Sequence, residues 1–477
     1  MSQSHRCQNL VIGSGPGGSV TAWTLASRGK DVMVLEEGPH LSLSSCTPFS
    51  IEEMRQKYRC GGLNPALGAP KVPLVEGRCV GGGSEINSGL YHRTPPEILA
   101  LWRARYDVKH IEVEDLRPHF EACECALSVR LNPGADSPPS VKMKTGAERL
   151  GWKTMEVQRA FKYEVEPGEC GRIFGKRQSM TETLLPSAVN AGCRLMAGVQ
   201  ARRIARENGR WKVTASRNGS PVIIDADAVF VCGGAIQTPA LLRRSGIRKN
   251  VGNSLALHPM VKVVAVFDDE VNGDRPGVPA QQAKDPSLGI CMGCSISSLP
   301  FLALAMTDHP DAKLDVGRTW RRMAIYYAMI MGPNSGTVRN IPFSTAPIVR
   351  YPLGTGDLRM LALALRRLCE LLFAAGATHL YPSILGFPVL RSEDDLSRIP
   401  AELSRRWTSL MTVHLFSSCP MGENEEHCAL DSFGQVRGHR NLIVNDASLL
   451  CTAPGVNPQG SIMAFARRNA LHFINGL

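Results

Sequence analysis

The 477-residue chain has no hydrophobic run long enough to cross a membrane. Its most apolar stretches, 299–306 and 360–375, are too short or are interrupted by charged residues. Near the start of the chain only Leu10, Val11 and Ile12 form an apolar run before glycines begin, so the hydrophobic segment of a secretory signal is missing. We therefore expect a cytoplasmic protein without a transmembrane segment, in a compartment where cysteines stay reduced.

The sequence also lacks the cysteine spacing of a disulfide framework or a zinc site. Its 15 cysteines are irregularly spaced, and the CxxC pair, Cys291 with Cys294, has no second pair or histidine pair at zinc spacing. We expect buried free thiols and no bound metal. The formal charge of +11 is scattered and accompanies no basic-aromatic motif or finger spacing, which argues against a nucleic-acid partner.

Glycine, in contrast, is abundant, and 45 glycines with 32 prolines indicate a loop-rich globular protein. A predicted strand over 9–12 and a predicted helix over 19–28 flank the first glycine cluster, which is Gly13, Ser14, Gly15, Pro16, Gly17 and Gly18. A second predicted strand, 31–35, ends at Glu36, which lies 18 residues after Gly18 (36 − 18). This register of strand, glycine turn, helix and acid is typical of a dinucleotide-binding fold.

Each member of this motif has a physical task. Gly13 permits the tight turn, Gly15 lets the backbone approach a pyrophosphate, and Gly18 lets helix and strand pack closely. The helix N-terminus offers unpaired N–H groups to the phosphates, and Glu36 is expected to accept hydrogen bonds from ribose hydroxyls. The motif binds the ADP half that FAD and NAD share, so it leaves both cofactors open. No second complete motif for a nicotinamide follows, so the electrons for an FAD would come from the substrate itself.

Five further segments occur in an order that resembles one flavoenzyme family. They are 77–87 (GRCVGGGSEIN), 231–247 (VCGGAIQTPALLRRSGI), 414–422 (HLFSSCPMG), 445–448 (NDAS) and 455–459 (GVNPQ). They resemble the signature regions of the glucose-methanol-choline (GMC) flavin oxidoreductases, and the triple glycine with the final Asn-Pro looks closest to the cholesterol-oxidase-like branch. The resemblance runs from Gly13 to about Arg468 and is weakest over 265–400, where members build the substrate cavity.

The resemblance implies FAD as the cofactor. The triple glycine would bring bare backbone against the flavin, and Asn87 would donate to a flavin oxygen. Choline-oxidase-like members attach FAD through a histidine at the position of Ile86, so we expect non-covalent FAD here. Motif and resemblance together predict these cofactor-binding residues: Gly13, Ser14, Gly15, Pro16, Gly17, Gly18, Glu36, Glu37, Arg78, Gly81, Gly82, Gly83, Ser84, Asn87, Val199, Gly233, Asp446, Asn457, Pro458 and Gln459.

Two later strand ends are also assigned to the cofactor. Segment 229–232 is a predicted parallel strand that enters a Gly-Gly turn, and Thr238 with Pro239 is predicted to begin the next helix. Asp446 follows the predicted strand 442–444, and we assign it to the hydroxyl and phosphate region of the flavin side chain. By resemblance Val199 lies on a strand that covers the adenine, although a core position explains this valine nearly as well.

By the same resemblance His414 is the active-site histidine and Asn457 the second catalytic residue. Oxidising an alcohol by hydride transfer needs a base for the hydroxyl proton, and a histidine with a pKa of about 6.5 suits that task. The Asn457 amide can hold the substrate oxygen without competing for the proton. Taken singly, the histidine also fits a buried core position and the asparagine a turn before proline. The other histidines, including His258, His427 and His439, are assigned structural roles.

The expected fold class is α/β with an α+β second domain. A Rossmann-like FAD-binding domain, discontinuous in sequence, is predicted over 1–125, 190–262 and 405–477. A substrate-binding domain built on an antiparallel sheet is predicted over 126–189 and 263–404. Within these domains, segments 261–267 and 324–331 are predicted strands, 358–374 is a predicted helix, and 132–140 and 272–281 are predicted loops.

These features predict an FAD-dependent oxidoreductase that converts a CH–OH group to an aldehyde or ketone by hydride transfer to flavin N5. Sugars, aminoglycoside-type intermediates, sterols and aliphatic alcohols remain open as substrates, and O2 or another acceptor would take the electrons. Two alternatives remain. The same scaffold could serve a non-alcohol flavin reaction, such as light-driven decarboxylation or a redox cyclisation, or the chain could be a flavin-binding redox sensor without catalysis.

Overall fold

A computed structural model describes residues 3–165, 173–274, 277–285, 288–312, 315–332 and 334–476. The strands among these residues are β1 (Gln3–Ile12), β2 (Val32–Glu36), β3 (Asn64–Ala66), β4 (Val72–Leu74), β5 (Val129–Arg130), β6 (Thr154–Glu156), β7 (Arg159–Val165), β8 (Ile173–Arg177), β9 (Arg194–Ala197), β10 (Val199–Glu207), β11 (Arg210–Arg217), β12 (Ser220–Val231), β13 (Ala256–Leu257), β14 (Met260–Val266), β15 (Gln281–Asp285), β16 (Ile290–Cys294), β17 (Met323–Ile330), β18 (Thr337–Arg339), β19 (Ile348–Arg350), β20 (His379–Pro382), β21 (Leu415–Phe416) and β22 (Leu442–Val444). The helices are α1 (Pro16–Ala26), α2 (Ile51–Lys57), α3 (Pro96–Tyr106), α4 (Val113–Ala126), α5 (Pro138–Arg149), α6 (Leu184–Asn190), α7 (Gly234–Arg244), α8 (Leu299–Ala305), α9 (Val316–Thr319), α10 (Thr355–Ala374) and α11 (Gln459–Asn475).

The first large sheet has the strand order β10-β11-β12-β1-β2-β9, and β22 also pairs with β12. Its centre is parallel: β1 pairs with β2 and β12, β2 with β9, and β12 with β22. Leu10, Val11 and Ile12 are all buried, as expected for a parallel strand covered on both faces. Helix α1 packs against β1, β2 and α11. This arrangement confirms the predicted Rossmann-like domain.

The glycine turn joins β1 to α1 as predicted, but the bounds of both elements differ from the predicted ones. Strand β1 begins at Gln3 rather than Asn9, because residues 3–7 pair with residues 222–226 of the long β12. Helix α1 begins at Pro16, whose fixed φ and missing N–H suit the first turn, and ends at Ala26. The distant pairing that extends β1 leaves no local signal in the sequence.

The predicted start of α7 at Thr238 and Pro239 is wrong. The helix begins at Gly234 and contains Pro239 in its interior. The proline has no N–H for the carbonyl of Ala235, and the hydroxyl of Ser418 donates to that carbonyl instead, at 2.6 Å. The buried Thr238 hydroxyl accepts the Gly233 N–H at 2.9 Å and donates to the Asp446 carboxylate at 2.5 Å.

The second large sheet has the order β20-β14-β17-β16-β15-β6, and its pairings are antiparallel. Helix α10 packs on β14 and β17. Side chains alternate along β14: Val261 and Val263 belong to the core under α10, whereas Met260, Lys262 and Val264 line a cavity on the other face. The antiparallel sheet with a covering helix is the architecture predicted for the second domain.

The predicted elements of this domain form with small shifts. Strands 261–267 and 324–331 are observed as Met260–Val266 and Met323–Ile330, and helix 358–374 as Thr355–Ala374. The predicted loop 132–140 ends early because α5 begins at Pro138. Of the predicted loop 272–281, residues 275 and 276 lie outside the described residues and residue 281 begins β15.

The boundary predicted between residues 262 and 263 falls inside β14, which belongs wholly to the second sheet. Its first residue, Met260, already pairs with Met329 of β17.

No helix within the described ranges is long and apolar enough to span a membrane. The 14 cysteines in the described part of the chain are free, and most of them are buried, as expected.

Candidate active site

A cavity of about 1270 Å³ extends from the first sheet to the second. At one end it meets the glycine turn and the carboxyl ends of β1, β2 and β12, and at the other it is lined by β14 and α8. Ligands of open α/β sheets bind at the carboxyl ends of parallel strands. One continuous space therefore joins the predicted dinucleotide site to the second domain.

The glycine turn needs glycine for two different reasons. A Cβ at Gly13, Gly17 or Gly18 would lie 2.3, 2.1 or 2.0 Å from a backbone carbonyl oxygen, so these three positions allow close backbone packing. Gly13 also has φ of +105°. Gly15 is different, because its Cβ would meet no atom within 4 Å and the residue lines the cavity. Gly15 therefore leaves bare backbone open to the cavity at the start of α1.

Glu36 is buried at the end of β2 and holds the turn together. Its carboxylate accepts hydrogen bonds from the Ser14 N–H at 3.1 Å and the Ser14 hydroxyl at 2.7 Å, and from a following backbone N–H at 2.8 Å. Burial raises the pKa of Glu36, and these hydrogen bonds oppose the rise. Glu37 also lines the cavity, where Arg59 and Gln200 donate to its carboxylate.

The triple-glycine loop lies directly against this turn. The Gly81 N–H donates to the Ser14 hydroxyl at 3.1 Å, and a Cβ at Gly82 would lie 2.9 Å from the Cα of Gly15. Gly83 lines the cavity and would place a Cβ in open space. The two glycine segments therefore form one backbone surface that borders the cavity.

Asp446 joins β22 to α7 at the same end. One carboxylate oxygen accepts from the Gly234 N–H at 2.8 Å and the Thr238 hydroxyl at 2.5 Å. The other accepts from the N–H and hydroxyl of Ser448, at 2.8 and 2.5 Å. Burial raises the pKa of Asp446, and the Ser448 and Thr238 bonds oppose the rise. Four donors hold this carboxylate at the cavity wall.

Most of the predicted cofactor residues line the cavity, namely Gly13, Ser14, Gly15, Pro16, Gly17, Glu36, Glu37, Gly82, Gly83, Asn87, Val199, Gly233, Asp446, Asn457, Pro458 and Gln459. Gly18, Arg78, Gly81 and Ser84 do not. The Arg78 side chain is half-exposed, with Nε 3.8 Å from Oε2 of Glu37. The Ser84 hydroxyl donates to the Gly81 carbonyl at 2.8 Å, so it shapes the loop. Nδ2 of Asn87 donates to Oε1 of Gln459 at 2.5 Å.

His414 and Asn457 lie beside each other on the cavity wall. Nδ2 of Asn457 is 3.3 Å from Nε2 of His414. His414 directly precedes β21, whereas Asn457 lies two residues before α11, so two separate segments supply the pair. The structure thus brings together the two residues that the sequence assigned to the substrate oxygen.

His258, to which the sequence assigned a structural role, contacts His414. Nδ1 of His258 lies 3.0 Å from Nδ1 of His414, and its Nε2 accepts the N–H of Gly455 at 3.1 Å. Pairing of β13 with β21 brings the two histidines together although 156 positions separate them. The only local signal is a histidine before Pro259 at a strand end, which does not identify its partner.

Asn457 is held from its other side by residues that sequence reasoning also missed. Nε2 of Gln282 donates to Oδ1 of Asn457 at 3.1 Å and to the Tyr327 hydroxyl at 2.9 Å. His92 is buried, and its hydrogen bonding to Gln282 and Asn457 raises its pKa against the larger lowering by burial. These residues lie on β15, on β17 and in a loop, where single polar side chains give no sequence signal.

Burial dominates the electrostatics of the histidines. It lowers the pKa of His414 to about 4. The pKa of His258 falls well below its ordinary value through burial and, to a smaller extent, the neighbouring His414. Burial likewise lowers the pKa of His92 to about 3. The imidazoles are therefore neutral at pH 7, and a neutral imidazole keeps one ring nitrogen able to accept a proton.

The second-domain end of the cavity is mainly apolar. Lys262 and Asp308 are the charged residues there. The apolar part of this wall includes Met260, Val264, Phe301, Leu304, Tyr381 and Met411. Such a wall favours a ligand with hydrocarbon surface over a fully hydroxylated one.

Comparison with known proteins identifies the family. The GMC oxidoreductase family matches with its N-terminal part over residues 10–260 and its C-terminal part over residues 340–466. An uncharacterised GMC-type oxidoreductase, y4nJ of Sinorhizobium fredii, is 38% identical, over 97% of this chain and 93% of its own length. The long-chain-alcohol oxidase FAO3 of Arabidopsis thaliana is 28% identical, over 97% of this chain and 67% of its own length. A cholesterol oxidase of Mycobacterium tuberculosis is 25% identical, over 97% of this chain and 90% of its own length.

The fold agrees with this relationship. The crystal structure of a pyridoxine 4-oxidase from Mesorbium loti superposes with a TM-score of 0.75 at 17% identity, covering 98% of this chain and 99% of the other. Two family matches together span most of the chain, and the predicted dinucleotide and GMC motifs fall within them. The chain belongs to the GMC oxidoreductase family and is an oxidoreductase of the flavoprotein class.

Proposed function

We propose that this protein is an FAD-dependent oxidoreductase that oxidises the CH–OH group of an aliphatic alcohol to an aldehyde or ketone. The observation that carries the proposal is the pairing of His414 with Asn457 on the wall of the cavity that begins at the glycine turn. Together these features supply a neutral imidazole and an amide beside a dinucleotide-type site. That combination suits hydride removal from an alcohol.

The residues at the first-sheet end fit FAD. Gly15 and Gly83 leave backbone open to the cavity where a Cβ would intrude, and the start of α1 faces the same space. Glu36, Asp446 and the two glycine segments would hold the dinucleotide, and Val199 would contact its adenine. Ile86 has no nucleophilic atom, so we propose non-covalent binding. FAD, when bound, supplies the acceptor for the hydride at its N5 atom.

The catalytic roles follow from the groups on the cavity wall. The Asn457 amide donates to the alcohol oxygen and holds it next to His414. Nε2 of His414 takes the hydroxyl proton as the hydride leaves carbon. Gln282 and Tyr327 keep Asn457 in place, which matters because small displacements of a positioned group are costly in rate.

The apolar wall favours aliphatic or sterol-like alcohols over sugars and aminoglycosides. A relative at 28% identity is named a long-chain-alcohol oxidase, which agrees with this preference. Many free cysteines in the described residues suit the reducing cytoplasm, where we propose the protein resides.

The test is an anaerobic titration of purified, flavin-loaded protein with aliphatic alcohols, sterols, sugars and aminoglycosides. We expect the visible flavin band to bleach with aliphatic alcohols and the carbonyl product to appear in equal amount. Rapid return of the band on readmission of air indicates an oxidase. Slow return indicates a dehydrogenase that uses another electron acceptor. A flavin that no alcohol bleaches would refute the proposal in favour of a non-alcohol reaction or a redox sensor.

A further inference from the structure

One lysine projects into the apolar end of the cavity. Lys262 lies between Met260 and Val264 on the cavity face of β14. Met260 belongs to one buried apolar cluster, and Val264 belongs to a second cluster that packs against α8. The lysine side chain is therefore bordered by hydrocarbon on both sides along its strand.

The backbone of Lys262 is fully bonded but its ammonium group is not. The Lys262 N–H donates to the Ser383 hydroxyl at 2.9 Å, and the Lys262 carbonyl accepts from the Ser383 N–H at 2.8 Å. Within the described residues the ammonium has neither a hydrogen-bond acceptor nor an ion-pair partner. Burial accordingly lowers the pKa of Lys262 to about 8. An unpaired charge among apolar groups is unfavourable unless a ligand pairs with it.

Asp308 does not supply that pairing. Its carboxylate accepts from the Ser409 hydroxyl at 2.5 Å and forms no ion pair with Lys262. Attraction to Asp308 raises the pKa of Lys262 by less than burial lowers it. The ammonium therefore remains undercompensated although a carboxylate lies at the same end of the cavity.

We propose that Lys262 binds an anionic group, such as a carboxylate, on the substrate whose CH–OH group reacts at His414 and Asn457. The inference rests on the proposed function and narrows its substrate class to aliphatic hydroxy acids. The Ser383 hydroxyl adds a second donor, because its oxygen accepts from Lys262 and its hydrogen is left for a ligand. An ammonium and a hydroxyl together form charge-assisted hydrogen bonds to a carboxylate.

The position of Lys262 relative to His414 and Asn457 determines how far apart the alcohol and acid groups of the substrate must lie. His414 contacts His258, which lies four positions before Lys262 (262 − 258), so roughly 13 Å of extended backbone separates Lys262 from the histidine pair. Met260 pairs with Met411, which is three positions before His414 (414 − 411). A single molecule can therefore place its alcohol at His414 and its acid at Lys262, with apolar chain between them.

The first test uses wild-type holoenzyme and three compounds of equal chain length: an alkanol, an ω-hydroxyalkanoate and an ω-amino alcohol. We expect kcat/KM for flavin reduction to be roughly ten- to hundredfold higher for the hydroxy acid than for the alkanol, and lowest for the amino alcohol. A series of chain lengths should show a maximum for the hydroxy acids. Equal values for the three compounds at every length would overturn the proposal.

The second test measures binding without turnover. Decanoate, which has no CH–OH group, is titrated into holoenzyme and followed by the shift of the flavin absorption spectrum. We expect Lys262→Met to weaken decanoate binding roughly ten- to hundredfold and Lys262→Arg to recover part of it. Lys144→Met on the exposed face of α5 removes the same charge elsewhere and should leave decanoate binding unchanged.

The outcomes separate this proposal from the proposed function. If Lys262→Met binds decanoate like the wild type and slows only flavin reoxidation, the ammonium serves the oxygen reaction and the proposal falls. If no alcohol bleaches the flavin, the proposed function fails, while the decanoate titration still decides whether Lys262 binds an anion. Because the methionine variant replaces a partly buried, unpaired charge with an apolar side chain of similar length, we expect it to fold, and its melting temperature provides the check.

Discussion

The Nδ1 atoms of His258 and His414 lie 3.0 Å apart in a buried contact. Because Nε2 of His258 accepts the Gly455 N–H, a neutral His258 carries its hydrogen on Nδ1 and donates it to His414. In that state His414 carries its own hydrogen on Nε2, facing the Asn457 amide nitrogen 3.3 Å away, so it is not the state in which Nε2 acts as the base. For Nε2 of His414 to act as a base, the hydrogen of His414 must lie on Nδ1 and be donated to Nδ1 of His258. The hydrogen of His258 then lies on its Nε2, so His258 can no longer accept the Gly455 N–H. His258 therefore controls which nitrogen of His414 can take a proton.

Replacing His258 tests this control. We expect His258→Leu to lower kcat/KM for flavin reduction roughly ten- to hundredfold, because a buried nitrogen of His414 loses its partner. Flavin content should stay close to that of the wild type. His439→Leu, which changes a histidine beside Trp211 far from the cavity, is the matched control. A wild-type rate and pH profile for His258→Leu would show that the contact is only structural.

The role of His414 is tested by two substitutions. We expect His414→Ala to reduce the rate of flavin bleaching by roughly 10²- to 10⁴-fold, since a positioned base is lost. His414→Gln keeps a hydrogen-bonding group but cannot take the proton at this pH, so it should lose nearly as much. Rapid-mixing absorbance under anaerobic conditions gives both rates. If the glutamine variant retained most of the activity, His414 would act as a hydrogen-bond donor rather than as a base.

The pH dependence of activity follows from the low pKa of His414. Burial lowers this pKa to about 4, so the imidazole is neutral and able to accept a proton well below pH 6.5. We expect kcat/KM for flavin reduction to stay level from neutral pH down to about pH 5 and to fall only nearer the shifted pKa. An acid limb centred on about pH 6.5 would contradict the buried, uncharged environment of His414.

The stability of the fold should depend on pH in the same range. An unfolded chain protonates its histidines at about pH 6.5, whereas folded His414 protonates only at about 4, so the unfolded state binds more protons between these values. The free energy of unfolding should therefore decline as pH falls from about 6.5 to 4, by roughly 3 kcal/mol for this residue. Denaturant titrations of wild type and His414→Gln should show a shallower decline in the variant.

Two glycines of the turn should respond differently to the same substitution. Gly15 has φ of −65° and its Cβ would point into open cavity, so Gly15→Ala should fold normally but bind FAD at least tenfold more weakly. Gly18→Ala would place a Cβ 2.0 Å from a backbone oxygen and should lower stability by about 1–3 kcal/mol. Flavin absorbance per protein and thermal melting of the apoprotein distinguish the two effects. Equal flavin content in Gly15→Ala and wild type would contradict the assigned dinucleotide site.

The sequence predicts those parts of the fold and site that depend on local patterns. The turn from Gly13 to Gly18, the strands beside it and the segment around His414 carry their signals within a few residues. The contact of His258 with His414 depends on pairing between β13 and β21, so no local pattern contains it. The interior position of Pro239 is similar, because the Ser418 hydroxyl that satisfies the freed carbonyl lies far away in sequence. The position of Lys262 in the cavity also depends on the fold, because only the alternation of side chains along β14 directs it there.

The most direct measurement is the anaerobic reduction of bound flavin by an aliphatic alcohol and by the same alcohol deuterated at its carbinol carbon. We expect both compounds to bleach the flavin of the wild type, the deuterated one several times more slowly, and His414→Ala to be far slower with either. A flavin that stays oxidised with every alcohol offered, in wild type and variant alike, would contradict alcohol oxidation at His414 and Asn457.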